Sequence, residues 1–174
     1  MSFSESYSLI RHWEVMDVFI FKDGTRKLAR PIDHNIVVNN CSVLIACLMK
    51  NQPGQKGIGY WAVGPGLSSW DLVRPEPMVT DERLQIEAYR KTIAYEDIKF
   101  IDSAGKPSAN PTNRIEIVVT FAENEANGDL REFALFGGNA TSALNTGVMI
   151  NHKIHPVINK TSALKLERTI RITF

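Results

Sequence analysis

The run Leu164-Lys-Leu-Glu-Arg-Thr-Ile-Arg-Ile-Thr-Phe174 decides the fold class, because apolar and polar side chains alternate along it. One face of the extended run carries Leu164, Leu166, Ile170, Ile172 and Phe174. The other face carries Lys165, Glu167, Thr169, Arg171 and Thr173. A period of two is typical of a strand with one face in a core. The run therefore predicts a half-buried β-strand.

Strand-type segments also precede this run, bounded by Gly, Pro, Asn or Asp residues that favour turns. They are 12–21, an extended continuation after Asp23-Gly24 towards Pro31, 57–63, 88–101, 114–121, 130–136 and 147–154. The Asp-Gly pair predicts a β-hairpin at the start of the chain. We therefore predict a mainly β protein with antiparallel, sandwich-like sheets.

Two segments are predicted to be helical. Residues 40–50 place Cys41, Leu44, Ile45 and Leu48 at helical spacing, with Asn39 or Asn40 as the N-cap and Pro53-Gly54 as the stop. This pattern predicts one buried amphipathic helix. Residues 80–87 are predicted as a short helix, and residues 67–79 as a long surface loop.

The runs 88–101 and 114–121 are predicted to pair as a long β-hairpin, joined by the polar connection 103–113. Fourteen extended residues reach about 45 Å. A compact domain of 174 residues has a diameter of about 40 Å. The hairpin is therefore expected to cross the domain or to project from it, and a projecting hairpin needs a partner chain.

Length and composition indicate an ordinary globular chain. Its 174 residues are 44% hydrophobic and 22% charged, with a net charge of +1, so we expect one domain overall, with 1–34 as an attachment segment and 35–174 as the β-rich body. The balanced charge argues against a nucleic-acid partner. Cys41 and Cys47 are interpreted as small hydrophobic residues.

The sequence also bears on localisation. Met1 to Arg11 lacks the pattern of a secretory signal, and no apolar run reaches the about 20 residues that span a bilayer. We therefore expect synthesis in the cytoplasm without a signal peptide and without membrane insertion.

Candidate chemistry is sparse. His152 and His155 lie three apart in a strand, so their side chains are expected on opposite faces and not on one metal. The glycines of Gly57-Ile-Gly59 and Gly64-Pro65-Gly66 lack a phosphate-loop context and indicate tight turns. Four carboxylates surround one turn, and paired carboxylates can perform acid–base chemistry. They are Glu123, Glu125, Asp129 and Glu132.

Five segments in order resemble a known class of proteins. They are Asn35-Ile-Val-Val-Asn39 before an apolar helix, Tyr60-Trp-Ala-Val-Gly-Pro-Gly66, Arg83-Leu-Gln-Ile-Glu-Ala-Tyr-Arg-Lys91, Glu125-Ala-Asn-Gly-Asp-Leu-Arg-Glu-Phe-Ala-Leu-Phe136, and a last strand ending in Ile-Thr-Phe. This succession resembles structural proteins of bacteriophage tails and of phage-tail-like contractile injection systems. The resemblance covers residues 35–174.

The resemblance implies a non-catalytic subunit without cofactor or metal, incorporated in a tail-like particle. It implies a symmetric homo-oligomer such as a trimer, next to tail tube, baseplate or fibre proteins, at the baseplate, the fibre attachment or the tube end as plug or cap. We predict the assembly contacts at Trp70, Tyr95, Phe100, Ile115, Ile117, Arg131 and Phe174.

Two alternatives remain open from the residues. The first is a β-sandwich module that binds a glycan or a protein, with Trp61 or Trp70 as the aromatic contact. The second is a hydrolase that uses the carboxylates Glu123, Glu125 and Asp129.

Overall fold

The computed structural model describes residues 12–33 and 35–174, which form two antiparallel sheets and one α-helix. The helix is α1 (Asn39–Met49), and two 3₁₀ turns span Ser68–Asp71 and Tyr95–Asp97. The strands are β1 (His12–Phe21), β2 (Arg26–Asp33), β3 (Ile36–Val37), β4 (Lys56–Gly64), β5 (Tyr89–Thr92), β6 (Ile98–Phe100), β7 (Arg114–Phe121), β8 (Gly128–Gly138), β9 (Val148–Met149), β10 (Asn151–Lys160) and β11 (Leu164–Thr173). The mainly β fold class with one helix is confirmed.

The first sheet has the order β2-β1-β11-β7-β6. Strand β11, which contains the alternating run, lies at its centre between β1 and β7. Its register with β1 runs from His12 opposite Thr173 to Phe21 opposite Leu164. The hairpin predicted around Asp23-Gly24 forms, with Gly24 at φ +83°. The segment Met1–Arg11 lies outside the described residues.

The second sheet has the order β3-β10-β8-β4-β5, with β9 also paired to β8. Both sheets contribute to one core, which includes Phe121 and Ile170 from the first and Trp61 and Phe133 from the second. A smaller cluster lies on the opposite face of β8, where Ala134 and Phe136 pack with Leu84 from the loop before β5. Strand β8 is therefore buried on both faces from Leu130 to Gly138.

The long projecting hairpin predicted from 88–101 and 114–121 does not form. Strand β5 pairs with β4 in the second sheet, whereas β6 pairs with β7 in the first. The turn at Tyr95–Asp97 separates them, and the Asp97 carboxylate accepts the backbone N–H of Ala94 (3.0 Å). Such local hydrogen bonds compete with strand pairing, and here they let the chain cross between the sheets.

Three other local predictions also need correction. Val38 precedes the first turn of α1, and no side chain caps that turn, so the predicted Asn39 or Asn40 cap is wrong. Residues 80–87 form no helix. The predicted strand 147–154 is two strands, and β10 continues through Pro156 because its register with β8 shifts between Ile154 and Ile158.

Replacing a core leucine of β11 tests the central position of this strand. Leu166 is fully buried, whereas Leu72 is 90% exposed in the loop before β5. We expect Leu166→Ala to lower the free energy of unfolding by about 2–5 kcal/mol, because it leaves a cavity between the sheets. Leu72→Ala should change it by less than about 0.5 kcal/mol. Chemical denaturation of both variants measures the difference, and equal midpoints would contradict this description of the core.

Candidate functional site

The candidate site is the loop 65–88, which connects β4 to its sheet neighbour β5 and is called here the clamped loop. Because β4 and β5 are adjacent, the loop must leave the sheet and return beside its own starting point. It does so across the outer face of the second sheet, where Leu84 is buried with Ala134 and Phe136. The described residues contain no helix long and apolar enough to span a membrane.

Two glycines allow the clamped loop to approach β4 closely. A Cβ atom on Gly64 would lie 1.9 Å from the carbonyl oxygen of Ile86, so no larger residue fits there without displacing the loop. Gly66 has φ +54°, and a Cβ on it would lie 2.3 Å from the Trp70 ring. Positive φ at Gly66 agrees with the predicted turn, whereas Gly64 is needed for the close packing of two backbones.

Arg131 of β8 holds the first part of the clamped loop. Its Nε and Nη2 donate to the two carboxylate oxygens of Asp71 at 2.8 and 2.7 Å, and Nη1 donates to the Pro65 carbonyl at 3.2 Å. The guanidinium also lies 3.3 Å from the Asp129 carboxylate. The hydrogen bond from Arg131 lowers the pKa of Asp71. A bidentate arginine–carboxylate pair fixes both distance and orientation.

Glu132, the next residue of β8, holds the middle of the loop from the opposite side of the strand. The backbone N–H groups of Gln85 and Ile86 donate to its two carboxylate oxygens, each at 2.9 Å. His152 of β10 bridges the same carboxylate to the loop, with Nε2 3.1 Å from Glu132 and Nδ1 2.7 Å from Asp81. The Glu132 side chain is fully buried.

Burial and hydrogen bonding act in opposite directions on His152. Burial disfavours the imidazolium, but the hydrogen bonds to Glu132 and Asp81 favour it more strongly and raise the pKa of His152 above its ordinary value. The geometry gives the reason, because only the imidazolium carries an N–H on both ring nitrogens and can donate to two carboxylates.

Glu87 and Arg90 hold the end of the clamped loop. Arg90 donates from Nε and Nη2 to the two oxygens of Glu87 at 2.6 and 3.0 Å, and its guanidinium stacks 4.4 Å above the Phe136 ring. Its Nη1 also donates to the carbonyl oxygens of Thr141 and Thr146 at 3.1 and 2.8 Å. This pair therefore joins the clamped loop to the connection between β8 and β9.

The clamped loop exposes large hydrophobic side chains interspersed with charged ones, such as Arg74, Glu76 and Arg83. Six of its large hydrophobic side chains are exposed: Leu67, Leu72, Val73, Met78, Val79 and Ile86. Charged groups of the sheet thus fix the backbone, while the side chains that face solvent are suited to contact another protein. We call these six residues the apolar rim.

A second buried polar cluster lies between the two sheets. The Asp17 carboxylate is 2.9 Å from Arg30 Nε and 3.2 Å from Arg168 Nε. Arg168 also donates from Nη2 to His155 Nε2 at 3.0 Å, and its guanidinium lies 4.8 Å from the Phe133 ring centre. Burial lowers the pKa of Arg168 to about 10. The cluster joins β1, β2 and β11 to β8 and β10.

His155 is neutral within this cluster. Burial is the largest cause, and the charges of Arg168 and Arg30 add to it, so the pKa of His155 is well below its ordinary value. His152 and His155 contact opposite sides of the second sheet, as the strand period predicted. The described residues contain no group of three or more side chains able to hold a metal ion.

The predicted assembly contacts do not form one surface. Trp70 is half-buried against Gly66, and Arg131 is buried in the same region, where it binds Asp71 of its own chain. Tyr95 is 91% exposed and Phe100 is partly exposed near β6, whereas Ile117 is fully buried in the core. Ile115 and Phe174 line an apolar cavity of about 230 Å³ beside α1.

The residues of the two alternative hypotheses are largely engaged in contacts within the chain. Trp61 is fully buried and packs against Phe133, so it offers no surface to a glycan. Glu125 forms an ion pair with Lys91, and Asp129 forms one with Arg131. Glu123 lies 3.9 Å from Lys165 at the surface.

Sequence reasoning missed the residues that organise the site. Asp71, Asp81, Glu87 and His152 reach their partners only after folding, because Arg131 lies 60 residues from Asp71 and Glu132 lies 20 residues from His152. The buried position of Arg168, in contrast, could have been predicted from the sequence. Arg168 occupies an apolar-face position of β11 between Leu166 and Ile170, where a charge needs a buried partner.

Adding one methyl group at Gly64 tests the close approach of the loop. We expect Gly64→Ala to cost about 1–3 kcal/mol of unfolding free energy, because Ile86 must move. Gly59 is the matched control, since it lies on the same strand and a Cβ there meets nothing within 4 Å. Gly59→Ala should stay within about 1 kcal/mol of the parent. Thermal and urea unfolding measure both, and equal effects would contradict the tight contact.

Lowering the pH should reduce the free energy of unfolding, because His155 in the cluster between the sheets is buried in its neutral form. A histidine whose pKa is lowered by folding gives stability that is complete above its unfolded pKa of about 6.5 and is lost as pH falls. The loss is limited to about 1.4 kcal/mol per pH unit. Urea unfolding between pH 7.5 and 5 should show a shallower decline for His155→Gln than for the parent. Parallel pH profiles would refute this assignment.

The chain has no match among protein-family models, curated proteins or solved structures. We therefore infer its function from the geometry of the clamped loop and from the sequence pattern.

Proposed function

We propose that the protein is a non-catalytic structural subunit of a phage-tail-like particle, and that the clamped loop is the surface through which it assembles. The observation that carries this proposal is the fixed apolar rim. Two bidentate Arg–carboxylate pairs and the Glu132 carboxylate hold the loop, while six large hydrophobic side chains face solvent. A rigid apolar surface binds a partner with little loss of conformational entropy.

The sequence resemblance supports the same surface. Three of its segments meet at the clamped loop: Tyr60 to Gly66 supplies the glycines, Arg83 to Lys91 supplies Glu87 and Arg90, and Glu125 to Phe136 supplies Arg131 and Glu132. Residues that would have no common role in an isolated strand thus act together on one loop.

Side-chain contact, and not strand pairing, is the mode of assembly that this fold favours. Edge strands β3, β5 and β6 have two, four and three residues. The longer edge strand β2 contains Lys27, which is exposed, and Pro31, which has no N–H to donate. Short strands, lysine and proline are ways in which proteins prevent edge-to-edge pairing. The expected partners are copies in a symmetric oligomer such as a trimer, and tube, baseplate or fibre proteins.

Polar substitutions in the apolar rim test the proposal. Leu72 and Val73 are adjacent and are the two most exposed members of the rim. We expect the double variant Leu72→Ser/Val73→Ser to fold with the parental melting temperature and to lose self-association or incorporation into particles by at least about tenfold, because removing a contact worth about 1.4 kcal/mol changes an association constant tenfold. Light scattering and co-purification with tail-like particles measure these quantities.

Val157→Ser is the control, because Val157 is exposed on β10, outside the clamped loop. It should assemble like the parent. A parent protein that stays monomeric and never joins particles, or a double variant that assembles normally, would overturn the proposal. Binding to a glycan array that is lost on Trp70→Ala would instead favour the alternative binding module.

A further inference from the structure

We propose that the imidazolium of His152 is a latch that holds the middle of the clamped loop, residues 78–86, and that its deprotonation releases this segment and weakens assembly. The effect on assembly rests on the proposed function above. The latch itself is a property of the isolated chain. It lies between β10, which provides His152, β8, which provides Glu132, and the loop, which provides Asp81.

The carboxylates of Glu132 and Asp81 accept hydrogen bonds from backbone N–H groups as well as facing His152. Glu132 accepts the N–H of Gln85 on one oxygen and that of Ile86 on the other, and Asp81 accepts the N–H of Met78 at 2.9 Å. Both ring nitrogens of His152 therefore face acceptors. A neutral imidazole has one N–H and one lone pair, so it can satisfy one carboxylate and must repel the other.

No other cation of the described residues lies within 4 Å of these two carboxylates. Arg131 is bound to Asp71, and Arg90 is bound to Glu87. On the remaining sides, β3 places Ile36 opposite His152, and β4 places Gly64 beside Glu132. Deprotonation would thus leave two buried or half-buried carboxylates without a counter-charge, and such an arrangement is costly.

The loop is the element that can yield. Glu132 is fixed in a strand that is buried on both faces, whereas Asp81 lies in irregular backbone. Moving residues 78–86 outwards hydrates both carboxylates and breaks the hydrogen bonds of Gln85 and Ile86. This movement is opposed by the burial of Leu84 against Ala134 and Phe136 and by the hydrogen bond from the Asn39 N–H to the Val79 carbonyl. Met78, Val79 and Ile86 belong to the apolar rim, so this movement removes half of the assembly surface from its fixed position.

The direction of the pH effect follows from the raised pKa of His152. Stability gained through a raised histidine pKa is complete below the unfolded value of about 6.5 and is lost as pH rises through the folded value. Each further pH unit reduces the protonated fraction about tenfold. The latch is therefore closed below the ordinary histidine pKa and opens as pH rises through the raised value.

Hydrogen exchange on the full chain tests the latch. Between pH 6 and pH 9, after correction for the intrinsic change of exchange rate, the amides of Gln85 and Ile86 should lose protection by about tenfold or more. The amide of Ala62 in β4 is the internal reference. NMR titration should place the pKa of His152 above that of an unstructured histidine, and Asp81→Asn should lower it. Asp23→Asn, at an exposed turn, should not change it.

The variant His152→Gln removes the titration and keeps one amide donor. We expect low protection of residues 78–86 at every pH in this variant, with no pH-dependent step. Assembly of the parent should weaken over the same pH range in which protection is lost, whereas His152→Gln should assemble weakly throughout.

The outcomes separate the two proposals. Protection that does not change with pH, or a His152 pKa at or below the ordinary value, overturns the latch even if Leu72→Ser/Val73→Ser abolishes assembly. A pH-dependent loss of protection together with normal assembly of that double variant supports the latch and overturns the proposed function. A pH-dependent loss of protection with pH-independent assembly through the apolar rim overturns the control of assembly.

Discussion

The burial of β8 on both faces is the constraint on which the rest of the structure depends. One face of this strand packs Phe133 and Leu135 into the core between the sheets. The other face carries Ala134 and Phe136, which solvent would otherwise reach because the described part of the chain places no layer of helices outside the second sheet. Covering this face requires the long connection between β4 and β5 to lie across the sheet. The clamped loop is therefore part of the hydrophobic core as well as a surface element.

Charged residues hold that covering segment because its backbone cannot pair with a strand. A loop on a sheet face leaves N–H and C=O groups that need partners. Glu132 satisfies two of these N–H groups, and the guanidinium of Arg131 satisfies the Pro65 carbonyl. Buried ion pairs contribute little net stability when they replace apolar packing, but they define one geometry, since leaving one partner unpaired is costly. The polar groups therefore select the loop conformation, and the apolar contacts provide most of the stability.

The sequence predicts features that are determined by neighbouring residues, and it fails for features that depend on residues far apart in the chain. The alternation in Leu164–Thr173, the helix with Cys41 and Leu44 inside, and the Asp23-Gly24 turn are local, and they form as predicted. The prediction of one long strand over 88–101 was wrong. Its residues suit a strand throughout, but the turn closed by the Asp97–Ala94 hydrogen bond divides the run between two sheets. The site was missed for a different reason. Gly64 and Arg131 stand out in the sequence, but Ile86 and Asp71 become their partners only through the topology of the sheet.

Asp71 and Asp81 bracket the stretch 72–80, and each is anchored by a side chain of the sheet, Arg131 for the first and His152 for the second. The anchors lie outside the stretch itself, and within it the Val79 carbonyl accepts the backbone N–H of Asn39 at 2.8 Å. The side chains of residues 72–76 are all exposed, so their replacement would change the chemistry of this surface while both anchors stay in place. The chain thus contains a short surface segment whose side chains can vary between two anchored ends.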